Sequence, residues 1–319
     1  MLTKLAIVMT NKCSAACDMC CFACSPQGKL TLDTEFMKDV IRQASETKGI
    51  QSVGFTGGEP FLFFEQLKEC CAYAKSFGLR LTVNTNGFWG NNEERALNMC
   101  KELKKAGVEL ISFSADRYHQ EYVPVEDLKT AMRVTHQAGL LLDISVMETA
   151  DSDDIVQMTE ALRPEIYQSL IASHPLLPVG KALETISSEN IVSYFETKNA
   201  KCSFGGMIQL NFDGNYYLCC SQFSRDIPRI NLGNAKGVKL AELEKKIASD
   251  DYRYVMLRNG LVWYLDLAKE LGFRIPEYCC SACHVCYYVF RNQEFLDMIE
   301  DKVKEEAGKL RVQHLLNLN

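Results

Sequence analysis

The chain has 319 residues, 47% of them hydrophobic and 24% charged, with a net charge of -6, the balance of a globular protein large enough for one full domain and a smaller appendage. Its Lys and Arg residues are scattered with no basic run, which argues against nucleic acid as a partner, and no stretch is long and apolar enough to span a bilayer. It holds 15 cysteines, and the apolar run Leu5 to Met9 is too short and too weakly flanked by basic residues for a secretory leader, so a cytoplasmic protein is expected whose thiols serve metal or redox chemistry rather than disulfides.

Short β-type runs alternate with amphipathic helical stretches through roughly the first 180 residues, the pattern of an α/β fold built from βα units round a parallel sheet. The runs are Leu5-Met9, Ser52-Thr56, Arg80-Thr85, Glu109-Ser114, Leu141-Met147 and Glu165-Ala172. Between the first two, a helix from about Thr34 to Thr47 places Phe36, Val40, Ile41 and Ala44 on one face, with Asp33 as its N-cap. A division into residues 1-185 and 186-319 is expected, the second part being an auxiliary domain with C-terminal helices.

Cys13, Cys17 and Cys20 follow the first run in C-x3-C-x2-C spacing. Three thiolates on one loop hold three corners of a 4Fe-4S cubane and leave one iron open, whereas a closed zinc site needs a fourth ligand. Cys21 and Cys24 leave a zinc knuckle or a disulfide pair as the alternative. The second run enters Thr56-Gly57-Gly58-Glu59-Pro60, where the glycines let a ligand approach the backbone and Glu59 is placed to hold an ammonium group; a plain βα turn is the alternative. Asn84-Thr85-Asn86-Gly87 ends the third run and Ser114-Ala115-Asp116 the fourth. Both read as ligand contacts or as ordinary turn chemistry, and so does the weaker Val179-Gly180-Lys181-Ala182.

Cys70, Cys71 and Cys100 lie in helical stretches and read as small buried hydrophobes. Farther on, Met207-Asn211 and Tyr216-Leu218 alternate like two strands about the turn Phe212-Asn215. Cys202 precedes this hairpin, Cys219 stands at its far end, and Cys283-x2-Cys286 leads into a C-terminal amphipathic helix. These four thiolates suit one auxiliary 4Fe-4S cluster, with zinc as the alternative. Cys220 is left over where this segment should face the barrel mouth. A free thiol there can give a hydrogen atom to a carbon radical, because S-H is weaker than most C-H bonds; packing, or ligation in place of Cys219, is the alternative. Tyr118 to Tyr122 and the aromatic stretch Tyr252 to Tyr264 are candidates for a substrate groove or for core.

C-x3-C-x2-C and Gly-Gly-Glu-Pro, in that order on the first two strands, resemble the radical S-adenosylmethionine (SAM) superfamily. The resemblance implies a partial (β/α)6 TIM barrel of the radical SAM type, with SAM chelating the open iron. It assigns Gly57, Gly58 and Glu59 to the methionine amine, and Asn86, Ser114 and Asp116 to the ribose or methionine carboxylate. Met19 departs from the family's usual aromatic residue before the third cysteine. The distal cysteines resemble a truncated SPASM, or Twitch, domain, which implies one auxiliary cluster.

Cys20-Cys21-Phe22-Ala23-Cys24-Ser25-Pro26, Phe55-Thr56-Gly57-Gly58-Glu59, Asn86-Gly87-Phe88-Trp89-Gly90 and Cys219-Cys220-Ser221 further resemble radical SAM peptide epimerases of the epipeptide type. That resemblance implies conversion of L-residues of a ribosomally synthesised precursor peptide to D-residues. It also implies two 4Fe-4S clusters, held by Cys13, Cys17 and Cys20 and by Cys202, Cys219, Cys283 and Cys286, with His284, Cys279 and Cys280 as competing neighbours. SAM is then the cosubstrate and a flavodoxin or ferredoxin the electron donor. A 5'-deoxyadenosyl radical removes a Cα hydrogen, Cys220 returns one from the opposite face, and the thiyl radical is reduced through the auxiliary cluster. Because the first strand begins almost at residue 1, the barrel and auxiliary domain are expected to bind the peptide themselves. The other readings are a radical SAM peptide cyclase forming thioether or carbon-carbon crosslinks, and a non-catalytic iron-sulfur or zinc protein.

Overall fold

Six strands run parallel and pair in sequence order: β1 (Lys4-Val8), β2 (Ser52-Thr56), β3 (Arg80-Thr85), β4 (Val108-Ser114), β5 (Leu141-Glu148) and β6 (Leu170-Pro175). The computed structural model describes residues 2-202 and 206-316. Each strand is followed by helix, which is what parallel pairing requires of a crossover: α1 (Thr34-Glu46), α2 (Phe64-Ser76), α3 (Glu93-Lys105), α4 (Arg117-Gln120), α5 (Val125-Gln137) and α6 (Asp154-Ala161). Asp33 caps α1 by accepting from the Phe36 amide at 3.0 Å, and Met37, Val40, Ile41 and Ala44 face the core. Cys70, Cys71 and Cys100 are fully buried on α2 and α3, as their periodicity implied.

The sixth strand begins later than the expected Glu165-Ala172, because residues 165-168 form a single helical turn. Ile166 is buried in that turn and Glu165 meets Arg133 at 3.2 Å, so its side chains serve the helical layer before the ladder starts at Asp143 opposite Leu170.

After β6 come α7 (Ala182-Thr185), β7 (Phe195-Glu196), β8 (Met207-Leu210), β9 (Asn215-Tyr217) and β10 (Asn231-Asn234). The hairpin β8-β9 forms about the expected turn, but β8 also pairs parallel with the free edge of β1, placing Lys4 opposite Met207 and Ala6 opposite Gln209. Among the described residues, nine strands therefore make one sheet, in the order β10-β9-β8-β1-β2-β3-β4-β5-β6, and hydrogen bonding runs across the expected division at 185/186. The chain closes with α8 (Leu240-Ser249), α9 (Asp251-Glu270), β11 (Tyr278-Cys279), α10 (Ala282-Arg291) and α11 (Gln293-Leu316), with β11 pairing antiparallel to β7.

Tyr252 and Tyr264 are core rather than groove: the Tyr252 hydroxyl donates to Leu296 O at 2.6 Å and the Tyr264 hydroxyl to Tyr252 O at 2.7 Å. No helix among the described residues is long and apolar enough to cross a membrane.

Candidate functional site

β1 is almost wholly buried and delivers the chain to the cysteine loop at the C-terminal end of the sheet. The loop is held from three sides. On the first, Gly58 N donates to Thr10 O at 2.6 Å and Glu59 N to Lys12 O at 2.9 Å. A Cβ on Gly57 would stand 2.9 Å from Thr10 O, and one on Gly58 2.1 Å from Lys12 O, so both glycines are required by the segment leading into Cys13 as well as by any ligand. On the second side, Gly180 takes φ +63° with Cys20 and Cys21 carbonyls against it, and Lys181 N donates to Cys20 O at 3.0 Å. The Lys181 ammonium binds Ala16 O at 2.6 Å and Asp18 Oδ1 at 2.7 Å. Third, Tyr118 is buried in a small apolar cluster with Ala15, Cys17, Leu176 and Ala182, and the Tyr122 hydroxyl donates to Ala16 O at 3.2 Å. Val179-Ala182 and Tyr118-Tyr122 thus shape the cysteine loop.

Cys13, Cys17 and Cys20 open on a cavity of about 410 Å³ that Gly57, Gly58, Asn86, Ser114 and Asp116 also line. The residues singled out by their spacing thus converge on one cavity. Burial, followed by the Glu59 charge, pushes the Cys13 thiol up to about 12, and burial raises Cys17 as well. A bond from the Cys24 thiol lowers Cys20 and raises Cys24 itself. Three thiols open to a cavity fit a cluster with one uncovered corner. Among the described residues, no three His, Cys, Asp or Glu side chains draw together round a single metal-ion position.

Glu59 does not line this cavity. Its buried carboxylate accepts from Phe61 N at 3.0 Å and the Thr85 hydroxyl at 2.9 Å through Oε1, and from Asn86 N at 2.8 Å through Oε2. Trp89 stacks on Phe61 with ring centroids 4.5 Å apart, and its indole N-H donates to Thr85 Oγ1 at 3.0 Å. Glu59 therefore ties the second loop to the third, and Asn86 Nδ2 continues the chain to Ser14 Oγ at 3.0 Å and weakly to Cys13 Sγ.

Asp116 is buried and accepts from His119 N at 3.1 Å and pairs with His119 Nδ1 at 2.9 Å. Burial pulls the His119 imidazole down, but the charges of Asp116, Cys20 and Glu59 and the Asp116 bond outweigh it, so the net shift is upward. His119 lines the cavity with no spacing motif to announce it; its signal was an i, i+3 partner for Asp116 on a one-turn helix.

Cys202, Cys219, Cys283 and Cys286 line a second cavity of about 610 Å³. Burial raises the Cys219 thiol to about 12 and lifts Cys286 too, with neighbouring cysteine sulfurs adding to both. Four such donors fit a fully ligated cluster. Cys279 and Cys280 lie outside that lining: the Thr197 hydroxyl donates to Cys279 Sγ at 3.6 Å, and Cys280 Sγ sits 3.2 Å from His284 Nδ1. Cys220 lines both cavities, and among the described residues it is the one cysteine that does.

Residues 7-144 match the model of the Radical SAM superfamily. The chain carries a radical SAM domain. Such a domain carries a 4Fe-4S cluster and SAM, and Cys13, Cys17 and Cys20 are the thiols here that would hold the cluster. YydG of Bacillus subtilis (strain 168), to which a role in peptide biosynthesis is ascribed, is 27% identical over 299 residues, 91% of this chain and 92% of its own. The GTP 3',8-cyclase of Helicobacter pylori (strain HPAG1) is 28% identical over 175 residues, covering 49% of this chain and 50% of its own. Among solved structures, anSMEcpe with bound AdoMet and Cp18Cys peptide superposes with a TM-score of 0.57 at 15% identity, over 97% of this chain and 99% of that one. That likeness establishes the fold, in which the radical SAM domain is the mostly parallel sheet.

Proposed function

We propose that the chain is a radical SAM enzyme acting on a peptide, and that it epimerises L-residues of a ribosomally synthesised precursor to D-residues. The position of Cys220 carries the reading: its thiol lines the cavity of Cys13, Cys17 and Cys20 on one side and that of Cys202, Cys219, Cys283 and Cys286 on the other. The likeness to YydG across 91% of the chain supports a peptide as substrate.

The cluster and SAM supply a carbon radical able to remove a hydrogen atom. Gly57, Gly58, Asn86, Ser114 and Asp116 hold SAM, and Cys220 presents an S-H bond to the substrate. Transfer of that hydrogen to a planar Cα radical from the face opposite the abstraction inverts the centre. It breaks S-H, forms C-H and leaves a Cys220 thiyl, which one electron and one proton restore; the electron comes from a flavodoxin or ferredoxin. Cys202, Cys219, Cys283 and Cys286 hold a second cluster beside that thiol.

The test is incubation of the reconstituted enzyme with its precursor peptide in heavy water, followed by chiral amino-acid analysis. Epimerisation adds one deuterium per inverted residue and leaves the mass in ordinary water unchanged, whereas a crosslink removes two hydrogens. Cys220→Ala should stop inversion while 5'-deoxyadenosine still forms. A D-residue made at the normal rate by that variant would refute the donor assignment.

A further inference from the structure

The wall between the two cavities carries two side-chain hydrogen-bond donors that have no acceptor among the described residues. Gln209 on β8 is 3% exposed and lines the first cavity, and its Nε2 has no hydrogen-bond partner among the described residues. Buried polar groups are nearly always satisfied, so an orphaned donor facing a cavity points to an acceptor that arrives with a ligand. Lys4 on β1 lines both cavities, and no carboxylate pairs with it among the described residues.

Strand alternation explains why both point inward. Leu5 and Ile7 are fully buried in the main core, so Lys4 and Ala6 face the lumen, and the ladder sets Gln209 beside Ala6. Space for the lysine is made by the neighbouring strand. A Cβ on Gly54 would touch the Lys4 side chain at 3.4 Å and press on Thr82 Oγ1 at 3.0 Å, so the glycine keeps that part of the lumen open beside the lysine. A parallel barrel usually fills its lumen with branched apolar side chains. A lysine, a glutamine and a glycine in its place are the makings of a polar binding site.

We propose that Lys4 and Gln209 are substrate-binding residues that donate hydrogen bonds to backbone carbonyl oxygens of the peptide, fixing the residue whose Cα faces Cys220. The inference rests on the peptide reading above. An ammonium and a free carboxamide N-H both demand an acceptor, and the acceptor every peptide offers is its carbonyl. Lys4 and Cys220 line both cavities together, which puts the ammonium in the neighbourhood of the hydrogen-returning thiol. Held on one edge by these donors, an extended segment cannot roll, so the face presented to Cys220 is set by the wall and not by the side chain being inverted.

The experiment uses reconstituted holoenzyme in heavy water with a library of capped synthetic octapeptides. A peptide that gains deuterium is remade with an ester replacing the amide that follows the labelled residue, which weakens that carbonyl as an acceptor. With the wild-type enzyme the ester should raise KM about tenfold, the worth of one buried hydrogen bond, with kcat within about threefold. Gln209→Met should raise KM for the amide peptide by about as much, and the ester should then add less than about twofold. Lys4→Met serves for the same cycle if Gln209→Met fails to fold, and Lys4→Arg should restore most of the affinity. An ester penalty that stays at full size in both Gln209→Met and Lys4→Met overturns this inference and leaves the epimerase reading standing. If the wild-type enzyme cleaves SAM yet labels no peptide, the epimerase reading falls and this inference with it.

Discussion

The Glu59 carboxylate accepts a 2.8 Å hydrogen bond from the Asn86 backbone amide, and Asn86 in turn reaches Ser14 beside Cys13. A residue that reads in sequence as a hand for the SAM amine is in the structure the peg that sets the third loop against the cysteine loop. Both oxygens of the peg are occupied by donors, which makes its chemistry easy to disturb.

Glu59→Gln turns one oxygen into an NH2 group facing a donor, either the Asn86 amide or the pair formed by Phe61 N and the Thr85 hydroxyl. A buried donor facing a donor costs about 1 to 3 kcal/mol. The variant should unfold at lower denaturant concentration by that amount and bind SAM more weakly, as read by chemical denaturation and a SAM titration. Unchanged stability would mean that the carboxylate is not the peg described.

Burial raises the Glu59 carboxyl from 4.5 to about 7, against the pull of its three donors and His119. A carboxyl raised on folding binds its proton more tightly in the native state, so its contribution to stability is full below 4.5 and is lost as the pH rises through about 7. The wild-type protein should lose stability from pH 5 to 7 relative to Glu59→Gln, and the two pH profiles should run parallel above about pH 8. Parallel profiles over the whole range would show that Glu59 titrates normally.

The cavity linings separate the four distal cysteines proposed as ligands from their cysteine neighbours. Replacing Cys283 and Cys286 with Ala should lower the iron content from about eight to about four per chain, with SAM cleavage detectable from the remaining cluster. Replacing Cys279 and Cys280 should leave about eight, since those thiols are engaged with Thr197 and His284 instead. Iron analysis with UV-visible spectra of the reconstituted variants decides between the two sets.

Lys181 fastens the cysteine loop through Ala16 O and Asp18. Lys181→Met removes both bonds and should loosen the loop by about 1 kcal/mol, a modest figure because the ion pair is partly exposed. The expected readout is faster bleaching of the SAM-side cluster by a chelator, with the distal cluster bleaching at its normal rate.

The parts of the site that sequence reasoning reached are those whose chemistry is written in local spacing. C-x3-C-x2-C puts three thiols on one loop wherever that loop goes, and a strand followed by Gly-Gly puts the glycines at a sheet's end. The direction of Glu59 was not legible, because it depends on Thr85 and Asn86 from another strand; Pro60 behind it and Trp89 ahead were the available hints of a capped, stacked turn. Lys4 and Gln209 passed unnoticed for a similar reason. Which face of β1 is lumen depends on its neighbours on both sides, and one of those neighbours is β8, some two hundred residues away in the chain. The late start of β6 was hidden because Ile166 is as apolar as a strand residue, and only its burial in a helical turn tells the two apart.

Because β8 is laddered onto β1, one five-residue strand serves as the common ruler for two groups of thiols: its end leads to Cys13, and its edge carries the hairpin that ends at Cys219. The spacing between Cys13 and Cys219 is thus carried by this ladder. Anyone grafting the C-terminal segment onto another barrel would need to carry the first strand with it, or lose the calibration between the two groups of thiols.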